Sequence, residues 1–239
     1  MRALLVVFLL FLIVGTSHSQ VLISLLLGDK LNSDKLEFGL DGGVNYTTIH
    51  GLSGDLRPNF NLGFYFGFKM KNPVWSIHTG VIVKSNMGIK GLPVYSLNNP
   101  DLDNAFADGS VDRRINYFNV PVLMRYTFKN RFYLDGGVQL GLRTKASDTF
   151  IATVRSKDDL KFTRDISDDY YRIDGGLACG MGYKLKANKG MKLGVHYYYG
   201  LVDITADDST DQFNRSLYLT LAIPIGAAKQ AGGEVKKEE

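Results

Sequence analysis

Along eight separate stretches of this chain apolar and polar residues alternate one for one, and a period of two belongs to a strand with two unlike faces. The first stretch sets Leu36, Phe38, Leu40, Val44 and Tyr46 against Glu37, Gly39, Asp41, Gly43 and Asn45. The second sets Phe60, Leu62, Phe64, Phe66 and Phe68 against Asn61, Gly63, Tyr65, Gly67 and Lys69, and the third Trp75, Ile77, Val81 and Val83 against Ser76, His78, Gly80 and Lys84. Phe118 to Phe128, Phe132 to Arg143, Tyr171 to Leu185, Lys192 to Gly200 and Ser216 to Ile225 continue the pattern. Evenly spaced two-faced strands satisfy all their edges by closing into an antiparallel barrel.

Alternation leaves open which face points inward, and three features decide it. The apolar face carries about forty mostly large side chains, more than the interior of an eight-stranded barrel holds. They therefore face out. Glycine gathers on the other face, at Gly39, Gly43, Gly63, Gly67, Gly80, Gly137, Gly141, Gly176, Gly180, Gly182, Gly194 and Gly200, where space inside a narrow barrel is scarce. The connections also alternate: Lys71-Pro73, Lys129-Arg131 and Lys186-Gly190 are short, while 49–58, 86–112, 144–169 and 202–213 are long. Short periplasmic turns opposite long surface loops are the pattern of outer-membrane barrels. Tyr46, Trp75, Phe128, Tyr183 and Tyr199 lie near strand ends, where aromatic girdles belong. The expected fold is all-β, an eight-stranded antiparallel up-and-down transmembrane β-barrel over residues 35–225.

The ends of the chain read differently. Arg2, an apolar run from Ala3 to Val14 and small residues at Ser17 and Ser19 make residues 1–19 a secretory signal peptide, cut before Gln20. The apolar run is too short for a membrane-crossing helix. Residues 20–34 form an expected periplasmic N-terminal segment, apolar but too short to span, and 226–239 a solvated, disordered tail. The expected location is the outer membrane of a Gram-negative cell.

Two segments also carry a family likeness. Asn119-Val120-Pro121-Val122-Leu123-Met124-Arg125-Tyr126 and Tyr197-Tyr198-Tyr199-Gly200-Leu201-Val202-Asp203-Ile204 resemble the Ile-Pro-Leu-Leu-x-Lys/Arg-Tyr and Tyr-x-Tyr-Gly-Leu-x-Asn/Asp-Ile patterns of the PorT-like outer-membrane β-barrel proteins. The resemblance covers roughly residues 35 to 225. It implies an OmpA/OmpX-like barrel and an envelope location, and its founding member is associated with secretion across the outer membrane. This chain departs from a common barrel pattern in placing 226–239 after Ile225 in place of a terminal aromatic residue.

The chemistry-bearing residues support no reaction. With 28 basic and 24 acidic residues interspersed along the chain, a nucleic-acid partner has no basic run to hold it. Cys179 stands alone, so there is neither an internal disulfide nor a Cys/His zinc spacing. Glu37, Asp41, Asp135 and Asp174 share the inward face with Lys69, Lys84, Arg125, Arg143, Arg172, Lys184 and Lys192, a set that pairs into a salt-bridged plug. His78 and His196 point inward from opposite sides.

An enzyme at the outer rim would need His50 as base beside Ser53, Ser85, Asp112 or the pairs Asp158-Asp159, Asp168-Asp169 and Asp207-Asp208, and nothing in the sequence fixes that spacing. Asp101, Asp103, Asp108 and Asp112 superficially suggest calcium, but Phe106 stands where the twelve-residue loop wants Gly; a solvated, turn-rich loop is expected. No catalytic, cofactor or metal residues are assigned. The expected function is an integral outer-membrane barrel with a structural, assembly- or secretion-related or surface-interaction role. Its partners are outer-membrane lipid and envelope or secretion-machinery proteins. The alternatives are a barrel enzyme acting on lipid or peptide and a narrow small-solute channel.

Overall fold

The computed structural model describes residue 33 and residues 35–154, 157–186, 190–206 and 210–225. The expected signal peptide, nearly all of the 20–34 segment and the 226–239 tail lie outside the described residues. The described residues form nine strands: β1 (Leu36–His50), β2 (Arg57–Lys69), β3 (Trp75–Leu92), β4 (Ser110–Thr127), β5 (Phe132–Val154), β6 (Lys157–Asp165), β7 (Ile173–Lys184), β8 (Lys192–Gly200) and β9 (Phe213–Pro224). Among the described residues a short helix, α1 (Pro100–Ala105), and a 3-10 turn at Ser167–Asp169 interrupt them.

Eight of the strands close on themselves. Each pairs antiparallel with its neighbours in the order β1, β2, β3, β4, β5, β7, β8, β9, and β9 returns to β1 from Gly39↔Pro224 to His50↔Phe213. The ring has the strand number and facing expected from the alternation. Phe64, Leu140 and Ile173 face outward at 41%, 56% and 64% exposure, while Asn61, Tyr65, Asn119 and Asp174 are buried inside. An apolar outer surface around a polar interior inverts the usual soluble arrangement and suits a lipid surround. No helix among the described residues is long and apolar enough to cross a membrane; the crossing is made by strands.

The inward glycines let strands approach closely. A Cβ at Gly43 would lie 1.9 Å from the Leu219 carbonyl oxygen, and one at Gly194 would meet Tyr133 Oη, His196 Cε1 and Thr220 Oγ1, all within 3 Å. The short turns close with ordinary chemistry. Trp75 N–H donates to the Asn72 carbonyl at 3.0 Å, and Arg131, at φ 73°, donates to Phe128.

The structure departs from the sequence reading above the apolar belt. The segments 86–112 and 144–169 are largely ordered strand: β3 runs on to Leu92, β4 begins at Ser110, β5 reaches Val154, and β6 folds back on β5 as a ninth strand outside the ring. Register shifts explain why the alternation broke off. One lies in β3 between Ile82 and Ser85, the other in the β4–β5 pair where Asn116 meets Lys145 and Tyr117 meets Arg143. Each bulge moves the following side chains to the other parity. Beyond them Met87, Ile89, Ala146 and Phe150 point inward and join Ile49, Val111, Ile115 and Ile204 in an apolar core capping the polar lumen.

The same bulge corrects Lys84. It stands outside the barrel, with its ammonium 5.6 Å from the Phe60 ring centroid. Lys69 and Arg172 are likewise exposed, and Arg143 is half-buried, donating to the Tyr171 carbonyl. Of the expected inward charges, Glu37, Arg125, Asp135, Asp174 and Lys192 are buried.

Candidate functional site

Two regions carry the polar chemistry: the lumen, and an ordered platform of extended strands above it. In the lumen β4 and β5 bring Arg125 and Asp135 together as register partners, and the guanidinium donates two hydrogen bonds of 2.7 Å to the carboxylate. His196 of β8, two strands along the ring from β5, reaches the same carboxylate at 2.8 Å, and the guanidinium lies 3.9 Å from the Tyr133 ring centroid. Below this bridge Lys192 pairs with Glu37, which also accepts the Tyr65 hydroxyl at 2.7 Å. Above it Asp174 accepts from Tyr198 (2.9 Å) and Asn214 (2.8 Å), and Asn119 donates to Ser85 at 2.8 Å.

These cross-lumen bonds fill the barrel. Between His78, Gln139, His196 and Tyr218 they leave a cavity of about 30 Å³, room for a water or two. His78 and His196 enter from opposite sides, as the sequence places them, and each has a carboxylate neighbour: Asp41 at 3.9 Å and Asp135 at 2.8 Å. Among the described residues no group of three or more metal-ligating side chains is gathered.

The platform centres on Asp148, fully buried on the outward extension of β5. Arg113 of β4 clamps it with bonds of 2.8 and 2.6 Å, and Tyr95, from the β3–β4 connection, donates at 2.9 Å. Arg113 also donates to the Tyr170 hydroxyl at 2.7 Å, which in turn donates to Gln212. Through Arg113, one carboxylate thus ties the extensions of β4 and β5 to the β3–β4, β6–β7 and β8–β9 connections. Burial and the Asp148 carboxylate push the Tyr95 hydroxyl up to about 12, so it remains a donor at any physiological pH. None of these five residues stood out in the sequence. The signal was the even-numbered set Ala146, Asp148, Phe150 and Ala152, which becomes readable as an inward face once the bulge is counted.

The acids of 86–112 stabilise local structure. Asn99 caps α1 by accepting from the Asp101 and Leu102 amides, with Pro100 at its first turn. Asp103 accepts from Ser96 Oγ and the Leu97 amide, both at 2.7 Å, and these bonds hold its carboxyl below the ordinary value. Phe106 packs against Phe150. The segment is a folded arm, where a solvated loop was expected.

The residues weighed for catalysis are dispersed. His50 is exposed beside the Phe213 ring, and Ser85 is buried in the lumen against Asn119 and Tyr218. Asp112 pairs with Lys90 at 3.7 Å, and Asp168 and Asp169 lie in the 3-10 turn. The side chains of Asp158 and Asp159 and the pair Asp207-Asp208 lie outside the described residues. Among the described residues no hydrogen bond or ion pair joins His50 to Ser53, Ser85 or Asp112.

Residues 29–206 match the family model described as an outer membrane protein beta-barrel domain. No curated protein sequence matches the chain. Solved structures similar to it include Ail, the attachment invasion locus protein of Yersinia pestis, in complex with the heparin analogue sucrose octasulfate; it is 12% identical over 79% of this chain and 97% of that one, with a TM-score of 0.43. Neisserial surface protein A is 10% identical over 79% and 96%, with a TM-score of 0.42. OprG of Pseudomonas aeruginosa is 15% identical over 80% and 93%, with a TM-score of 0.36. Such distant likeness concerns the fold alone.

Proposed function

Because this chain belongs to the outer membrane protein beta-barrel domain family, we propose that it is a surface-interaction protein whose work is done by the platform, with no role as a passage. The observation that carries this reading is the placement of β6. It pairs with β5 from Ser147↔Asp165 to Val154↔Lys157 and has no strand on its other side among the described residues. A strand edge held out from a rigid platform offers its amides and carbonyls to an extended segment of another chain. The Arg113–Asp148 clamp keeps that edge in place. The ion-paired lumen argues against a small-solute channel, and the dispersal of His50 from any nucleophile argues against a rim enzyme. The PorT-like motifs favour an envelope or secretion-machinery protein as the partner, and export through a cleaved signal at 1–19 belongs to the same reading.

The test is photo-crosslinking in living cells. A photoreactive residue placed at Lys161 or Thr163 of β6 should give a protein adduct, whereas one at Lys71 or Lys129 in the turns should not. Adducts at the turns alone would move the function to assembly or secretion at the periplasmic end. Adducts at neither position would overturn an interaction role.

A further inference from the structure

We infer that the turn end of the barrel is a collar for anionic lipid headgroups. Lys35, Lys69, Lys71, Lys129, Arg131 and Lys186 are all exposed there, around the mouths of all three turns and the approach to β1. The described residues of those turns contain no acid. Among the described residues, the carboxylates Glu37 and Asp135 toward this end of the lumen are buried and already paired with Lys192 and Arg125. At the loop end, by contrast, bases find acids within the protein, as Lys90 finds Asp112 and Arg113 finds Asp148.

The depth of the collar identifies its counter-ion. Trp75 packs edge-on against Tyr126 at 4.9 Å, Tyr126 against Phe128 at 4.8 Å, and Phe132 against Tyr183 at 5.1 Å, forming an aromatic girdle at the same strand ends. The Arg131 guanidinium lies 5.1 Å from the Tyr183 ring centroid, so basic groups and girdle share one level. Aromatic girdles sit at the headgroup layer. Like charges whose described neighbours offer no free acid repel one another unless an external anion neutralises them, and the anion present at that depth is the lipid phosphate. The collar therefore selects lipids carrying net negative charge over zwitterionic ones.

Trp75 is the only tryptophan in the chain and stands within this collar, so it reports on its own lipid neighbours. The folded full-length protein is reconstituted in phosphatidylcholine vesicles containing phosphatidylglycerol, with bromine on the acyl chains of one lipid or the other, and Trp75 quenching is compared. The expected result is a preference of about fivefold for the anionic lipid per basic group engaged. It should fall toward unity in ~1 M salt. The triple variant Lys69→Gln/Lys71→Gln/Lys129→Gln should abolish it, while Lys84→Gln/Arg114→Gln at the loop end should leave it intact. The salt titration on the unaltered protein tests the inference independently of how any variant folds. Equal quenching by both lipids at low salt would overturn the inference and leave an acidic periplasmic protein as the collar's occupant.

Discussion

Arg125 and Asp135 stand directly opposite one another on β4 and β5, and their two 2.7 Å hydrogen bonds join the two strands inside the lumen toward its turn end. Both are buried, so removing one strands the other's charge. Arg125→Met or Asp135→Asn should each cost about 3–5 kcal/mol. The double variant Arg125→Met/Asp135→Leu should cost less than either single change. Urea midpoints in lipid vesicles measure all three, and additive losses would mean that the pair is not a unit.

Glycine on the inner face is a matter of room. Gly43→Val places a side chain where even a Cβ would lie 1.9 Å from the Leu219 carbonyl oxygen, whereas a Cβ at Gly136 meets nothing within 4 Å. The first change should destabilise the barrel by about 1–3 kcal/mol. Gly136→Ala should stay within about 0.5 kcal/mol of the parent. The same unfolding measurement separates them.

Phe64 faces outward from the middle of β2 at 41% exposure. Phe64→Arg should cost about 2–4 kcal/mol if that position is at the bilayer midplane. A neutral effect on the unfolding midpoint in vesicles would mean that the outer face does not meet lipid there.

Arg113 holds the platform through Asp148, which has no exposed side-chain surface. Arg113→Gln should cost about 1.5–3 kcal/mol. The loss should be local: limited proteolysis should cut β5–β6 and the α1 arm faster while the ring keeps its heat-shifted gel mobility. A variant that loses the ring as well would contradict the separation of platform from barrel.

Asp203, between β8 and β9, accepts the Gln212 and Thr205 amides and the Thr205 hydroxyl. Slight burial raises its pKa, but these bonds outweigh that and hold it below the ordinary 3.8. A depressed carboxyl adds stability that is complete above its unfolded value and is lost as pH falls through the folded one. Exchange of the Gln212 amide, corrected for intrinsic rate, should therefore accelerate only below about pH 4. Asp203→Asn should remove most of that pH dependence.

The ring was legible in the sequence because lipid and lumen demand opposite residue types on alternate positions, as Phe64 and Tyr65 or Leu134 and Asp135 show. The platform was not. Above the belt both faces change character: Met87 and Phe150 turn inward into an apolar core, and the bulges after Ile82 and near Lys145 reset the parity. A period-two reading ends at such a bulge even though the strand continues, which is why 86–112 and 144–169 looked like loops. The lumen charges were half legible. Alternation found Arg125, Asp135 and Lys192, but it could not know that the bulge turns Lys84 outward or that Lys69 emerges at the mouth.

The most direct test of the central claim is to isolate the outer-membrane fraction of the producing cell and compare the protein's gel mobility with and without boiling. A closed barrel resists detergent until heated, so the unboiled band should migrate away from the boiled one and should be found in that fraction. A band in the soluble fraction that does not shift on heating would contradict the transmembrane barrel.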